Sequence, residues 1–166
     1  PIIEHVRPKP DEGSAANGSH GAGEPTAACF NLTGCPQDQS FRLEGFEALI
    51  RWEHPERGLV SPGVFIPLAE DTGLIENIGD FVLDTVCNQI QAWQSQGLPY
   101  FFVSVNLSPR QLRHPAFASR LESLLKRTAI EPRRLELEIT ESSAMTMEDP
   151  EYLIALFERL RSPGVR

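Results

Sequence analysis

Sulfur is scarce in this sequence: its 166 residues include three cysteines and two methionines. Cys29, Cys35 and Cys87 are odd in number and irregularly spaced, which makes a poor disulfide framework. Cys29 and Cys35 could pair or share a metal, but no second pair of ligands follows them. Such cysteine usage fits a reducing compartment, and the expected location is cytoplasmic, with the parent protein free to be membrane-tethered. Long apolar runs are also missing. Residues 98–103 form one of the longest, so no segment is expected to span a membrane. No basic stretch followed by an apolar one opens the chain, so no signal peptide is visible. Asn31-Leu32-Thr33 matches a glycosylation triplet but has no secretion signal to support it. Positive charge is short as well. Fifteen Lys and Arg face 23 Asp and Glu, for a net charge of -8. Phosphate contacts dominate nucleic-acid affinity, and the basic clusters here are only Lys126-Arg127 and Arg133-Arg134, read as solvated helix ends. DNA and RNA are therefore not expected partners. A small anionic nucleotide would need a local Arg, a metal or backbone N–H groups to hold it.

What is present divides the chain in two. Residues 10–28 (PDEGSAANGSHGAGEPTAA) carry no large aliphatic or aromatic side chain. They cannot bury enough apolar surface to offset their ordering entropy, so 10–40 is expected to be a flexible low-complexity insertion. It separates a strand remnant at 1–9 from a patterned region at 41–166. In that region 45–52 reads as a strand. Ser61-Pro62 resembles an N-cap with Pro at the first helical position, and Gly73 a C-cap. A second helix is expected over about 80–96, with Val82, Val86, Ile90 and Trp93 on one face, ended by Gly97 and Pro99. Residues 100–105 read as a strand buried on both faces. Ser108-Pro109-Arg110-Gln111 forms a capping box opening a helix with Phe117, Leu121, Leu124 and Leu125 on one face, broken by Pro132. A strand at 135–139 follows. The last helix opens at Asp149-Pro150, carries Leu153, Leu156, Phe157 and Leu160, and is capped by Gly164. Val165 and Arg166 look like the first residues of another strand. Alternation of strands and helices implies an α/β fold with a mostly parallel sheet.

In such folds ligands sit beyond the carboxyl ends of the strands. Glu47 lies inside the apolar run Phe46–Ile50, Asn106 ends the 101–105 strand, and Glu138 and Glu141 flank the end of 135–139. A carboxylate or amide in an apolar strand is costly unless paired or coordinated, and oxygen donors of this kind suit Mg²⁺ or Mn²⁺. Arg51, four residues after Glu47, emerges on the same strand face and suits bidentate grip of a phosphate. Plainer readings stand beside these. Glu47 and Glu138 could face solvent, Asn106 could be a turn residue before the Ser108 cap, and Arg51 could stack on Trp52. His54 and His114 precede prolines in loops and read as surface residues. Ser104 and Ser108 have no His/Asp arrangement suggesting a nucleophile.

These residues resemble the EAL domain of bacterial cyclic di-GMP phosphodiesterases. Glu47-Ala48-Leu49 is the tripeptide that names the family, and GFEALIRWEHPERGLVSPGVFIPLAEDTGLI, VSVNLSPRQL and LELEITES are similar to its successive blocks, in order. The resemblance implies a partial TIM-like (β/α)8 barrel with an irregular, antiparallel first strand, truncated before the fifth strand; a full barrel takes about 250 residues. It implies hydrolysis of cyclic di-GMP to the linear dinucleotide pGpG with two Mg²⁺ or Mn²⁺ ions. By position, Glu47, Asn106 and Glu138 resemble metal ligands, and Glu47, Glu138 and Glu141 are counted among the catalytic residues. Glu141 resembles the second Glu of its block, which steadies a loop near the site. Arg51 resembles the phosphate-contacting Arg, and Leu49 lies beside the substrate. The family's later Asp-Asp, Lys, Glu and Gln blocks have no counterpart before Arg166, so the chain alone is expected to be an inactive fragment. Two other readings remain: a non-catalytic cyclic di-GMP sensor and a scaffolding half-domain that binds no nucleotide. Open strand edges would favour self-association. Sensory or diguanylate cyclase-like domains fit the parent protein. Residues 10–40 depart from the family pattern and read as an inserted loop or a coding artefact.

Overall fold

The computed structural model describes residues 2–8 by their backbone, together with 45–139 and 150–166. The 10–40 insertion, Cys29, Cys35, Asn31, Glu141 and the Asp149 cap lie outside the described residues.

Strand β2 (Gly45–His54) organises the sheet. Along one side it pairs antiparallel with β1 (Ile2–Pro8), and along the other it pairs parallel with β4 (Phe102–Asn106). Its far end turns back into a short antiparallel partner, β3 (Gly58–Val60). β4 pairs parallel with β5 (Leu135–Glu138), so the order is β1-β2-β4-β5. Gly45 faces Phe102 across the ladder. A Cβ at Gly45 would meet the Phe102 ring at 2.5 Å, so the glycine makes room for that ring. Arg166 also bonds to β5, although no strand is formed there. Arg166 N donates to Leu135 O at 3.0 Å, and Leu137 N donates to Arg166 O at 2.9 Å. Parallel pairing with an antiparallel first strand is the expected architecture.

Helices connect the parallel strands. α1 (Pro62–Thr72) starts at Pro62 and stops at Gly73, whose φ of 80° is the left-handed conformation glycine tolerates. α2 (Leu74–Ser95) begins six residues earlier than the expected 80, immediately after that glycine. Gly73 terminates one helix and starts the next: its N–H donates to Glu70 O and its carbonyl accepts from Glu76 N. Ile75 and Ile78 extend the stripe of Val82, Val86 and Ile90 towards the N-terminus.

The single helix expected after the capping box is two, α3 (Pro109–Arg113) and α4 (Phe117–Thr128). Pro115 divides them, because the residue before a proline is pushed out of the helical region; His114 has ψ of 119°. α4 ends before Pro132, at Ala129 in the left-handed region (φ 49°), and Pro132 opens a 3-10 turn leading to β5. α5 (Pro150–Arg161) completes the helices.

The core lies between the helices and the sheet. Val86 and Ile90 of α2, Leu121 and Leu125 of α4, and Leu156 and Leu160 of α5 are buried with Val103, Val105 and Leu135. Each such aliphatic side chain contributes about 1.5–3 kcal/mol on burial. Phe101 closes one end, edge-on to Phe46 and Trp93 with both ring centroids at 5.1 Å.

Two residues behave differently from their sequence context. Arg134 is not a solvated helix end: it is 7% exposed. Its Nη1 donates to Pro99 O at 3.2 Å, and its guanidinium lies over the Tyr100 ring at 5.1 Å. Replacing it with alanine removes a charged hydrogen bond and the stacking, and is expected to lower stability by about 2 kcal/mol. Lys126→Ala, at an exposed site, should change it by less than about 0.5 kcal/mol. Urea unfolding of the two variants tests the contrast.

Cys87 is fully buried, and burial, reinforced by the nearby Asp84 carboxylate, pushes its thiol up to about 12 against an opposing effect of Arg127. It is a raised acid, so the neutral thiol's contribution to stability is intact below pH 9.0 and is lost as pH rises through about 12. At pH 8 the native Cys87 is expected not to react with a thiol-specific reagent, and to react once denaturant is added. Rapid labelling of Cys87 in the native protein, mapped by mass spectrometry, would contradict this.

Candidate functional site

The ladder brings together side chains far apart in sequence. β2 and β4 run in register with Glu47 opposite Ser104, and β4 and β5 with Asn106 opposite Glu138. Period-two alternation then puts Glu47, Leu49 and Arg51 on one face of β2, while Ala48 on the other face enters the core at 5% exposure. Similarly Ser104 and Asn106 share a face of β4, and Glu136 and Glu138 share one of β5.

Asn106 is the last residue of β4 and the meeting point. Its Nδ2 donates to Glu47 Oε1 at 2.9 Å. The chain just beyond it is tied to the end of β5, since Leu107 N donates to Glu138 O at 2.9 Å. The register therefore sets Glu138, the last residue of β5, beside Asn106, the last of β4, while Glu47 reaches Asn106 from the third position of β2. This removes the reading of Asn106 as a turn residue alone, because its amide is bonded to a carboxylate 59 residues earlier.

Arg51 and Leu49 lie along the same strand. With Asn106 they line a cleft of about 330 Å³, whose wall also includes Glu70 and Ser108. Glu47 and Glu138 do not line it, so Asn106 joins the carboxylates to the cleft. Arg51 is half-buried and its Nη1 donates to Ile50 O at 3.0 Å. Trp52 packs edge-on to Phe65 at 5.7 Å and His54 at 5.2 Å. His54 and His114 each use Nδ1 to accept a backbone N–H two residues on, Glu56 N and Ala116 N. His54 is the last residue of β2 and not a loop residue, His114 follows α3 as expected of a loop, and both are partly buried, not fully on the surface.

The capping box is formed as expected. Ser108 N donates to Gln111 Oε1 at 3.0 Å, and Arg110 N donates to Ser108 Oγ at 3.2 Å. It stands directly after Asn106 and fixes how the chain leaves the strand. Gln111 is 3% exposed, and its Nε2 lies 1.6 Å from where a Cβ on Gly79 would sit. Gly79, unremarkable in the sequence, is what lets α2 approach this box. Among the described residues no group of three His, Cys, Asp or Glu comes together. The convergent donors are two carboxylates and one amide, a set of hard oxygens.

A model of the EAL domain matches residues 36–166. Among curated proteins, the bifunctional diguanylate cyclase/cyclic di-GMP phosphodiesterase MucR of Pseudomonas aeruginosa is 45% identical over 121 residues, covering 73% of this chain and 17% of that protein. Among solved structures, the PaMucR phosphodiesterase in complex with c-di-GMP matches with a TM-score of 0.70 and 44% identity, over 75% of this chain and 49% of that one. The EAL enzyme Bd1971, in its cAMP- and cyclic-di-GMP-bound form, matches with a TM-score of 0.67 and 28% identity, over 78% of this chain and 35% of that one. The chain thus spans about half of the solved PaMucR chain and a much smaller part of the curated MucR.

Proposed function

The chain belongs to the EAL domain family, and from that premise we propose that its Glu47–Asn106–Glu138 corner is one part of a site that hydrolyses cyclic di-GMP to the linear dinucleotide pGpG. The observation that carries this reading is the 2.9 Å hydrogen bond from Asn106 Nδ2, at the end of β4, to Glu47 Oε1 on the adjoining β2, with Glu138 in register beside Asn106. The matched structure of PaMucR is named as a phosphodiesterase in complex with c-di-GMP, which supports the same substrate here.

Mg²⁺ or Mn²⁺ fits the donor set. Two carboxylates and an amide are hard oxygen ligands, and such ions take about six oxygens in all, several of them from water or substrate. When bound, these ions polarise a phosphoryl oxygen and supply hydroxide near neutral pH. The residues of this chain do the positioning. Because the Asn106 amide nitrogen is spent on Glu47, its Oδ1 is the atom left to face a cation. Glu47 and Glu138 bring negative charge to the same point. Arg51 offers a planar fork of donors that matches a phosphate, and Leu49 gives the nucleotide an apolar contact in the cleft. Glu141, outside the described residues, is proposed to steady the loop that follows β5.

Activity is expected of a protein that carries the complete EAL domain; this chain covers about half of the matched PaMucR chain. Incubating that protein with cyclic di-GMP and Mn²⁺, then separating the products by chromatography, should yield the linear dinucleotide, and EDTA should stop its formation. Cyclic di-GMP that binds but is recovered intact would favour a sensor. Absence of both binding and turnover would leave a scaffold.

A further inference from the structure

Glu70 stands in the last turn of α1, followed by Asp71, and that turn contains no basic residue. An acid there opposes the helix dipole, whose C-terminal end is negative, so local helix energetics do not account for it. Its partners come from α3. Ser108 Oγ donates to Glu70 Oε1 at 2.6 Å, and Arg110 Nη1 donates to Glu70 O at 2.9 Å. The Ser108 bond is short and charge-assisted, the stronger kind of side-chain hydrogen bond. Arg110 supplies the cation missing from the end of α1, and its guanidinium packs against Gly73, where a Cβ would sit 2.9 Å from Nη2.

Ser108 is 8% exposed and sits two residues after Asn106. Its hydroxyl serves two bonds, accepting from Arg110 N and donating to Glu70. Between Asn106 and Ser108, Leu107 N is held by Glu138 O. The segment 106–108 is therefore pinned from both sides, by β5 through Leu107 and by α1 through Glu70. Glu70 also lines the cleft that contains Arg51 and Asn106.

We propose that Glu70 is a positioning residue for this site: by accepting the Ser108 hydroxyl it fixes the exit of β4, and thereby the Asn106 amide against Glu47. This rests on the proposed cation site, but the positioning itself can be read without it. Partners that orient a metal ligand typically contribute about 10–100-fold in metal affinity.

The test compares Glu70→Ala and Glu70→Gln in the protein carrying the complete domain. Gln keeps an oxygen that can accept the Ser108 hydroxyl. One readout is hydrogen exchange at the Leu107 and Ser108 amides, and the other is Mn²⁺ affinity from the loss of its free EPR signal. Glu70→Ala is expected to speed exchange at both amides and to weaken Mn²⁺ binding, each by about tenfold. Glu70→Gln should stay within about threefold of the unchanged protein on both. Two results overturn the proposal: Glu70→Ala exchanging and binding like the unchanged protein, or Glu70→Gln falling together with Ala. If the unchanged protein binds no Mn²⁺, the cation reading fails, and the exchange comparison alone decides the role of Glu70.

Discussion

Glu47→Ala, made in the protein that carries the complete domain, is expected to lower cyclic di-GMP turnover by about three orders of magnitude, roughly 4 kcal/mol of transition-state stabilisation. Two losses coincide. The carboxylate proposed to face the cation goes, and Asn106 loses the acceptor that holds its amide at 2.9 Å. Asn106→Ala should share most of that deficit, so the double variant should fall well short of the sum of the two, as groups acting through one contact do. Fold stability should change little, because Asn106 is exposed and Glu47 only half-buried. Steady-state kinetics at several Mn²⁺ concentrations, with a thermal melt of each variant, distinguishes this outcome from simple misfolding. Full turnover by Glu47→Ala would remove the carboxylate from the chemistry.

The largest expected effect on stability comes from a single methyl group. Gly79→Ala would place a Cβ 1.6 Å from Gln111 Nε2, in a site where Gln111 is 3% exposed. Alanine is ordinarily the better helix former by about 1 kcal/mol, so propensity alone predicts stabilisation. Packing predicts the reverse. Gln111 must leave its position, which breaks the bond from Ser108 N and with it half of the capping box. Overpacking costs about 1–3 kcal/mol and a lost cap about 1 kcal/mol. Set against the propensity gain, a net loss of about 1–3 kcal/mol is expected, or roughly 2–12 °C in Tm for a domain of this size. Calorimetry reads it directly, and an unchanged or raised Tm would show that α2 and α3 can move apart freely. Gln111→Ala in the same background should relieve the clash and recover part of the loss, because the atom in the way is then absent.

The fold was legible where punctuation and periodicity agreed. Pro62 and Gly73 bound α1 as their backbone preferences require, the capping box at Ser108 forms, and Arg166 bonds the backbone of β5. The structure departs from the sequence pattern where a local signal has two meanings. Gly73 signals the close of one helix, yet a single left-handed residue also lets another helix start at once. The apolar spacing from Phe117 onward does not show that Pro115 divides α3 from α4. Arg134 follows another arginine in a polar turn, and only tertiary contact with Tyr100 and Pro99 reveals that it is buried.

The site shows the same division. A carboxylate within an apolar strand and an amide at the next strand's end were conspicuous, because such placements are costly without partners. That they touch depended on the strand register, which a one-residue slip would have reversed. Glu70 and Gly79 carry weaker signals in the sequence. An acid in a helix's last turn with no base beside it was the one available sign of Glu70. For Gly79, a glycine inside a long helix was the only hint, and its reason lies in a side chain 32 residues later, Gln111.

Glu47, Asn106 and Glu138 are proposed to face one divalent cation. Anomalous diffraction at the manganese edge, from crystals of the complete domain grown with Mn²⁺, tests this most directly. The expected result is a peak within bonding distance of the Glu47 and Glu138 carboxylates and of Asn106 Oδ1. A peak held by other residues, or none at saturating Mn²⁺, would contradict it.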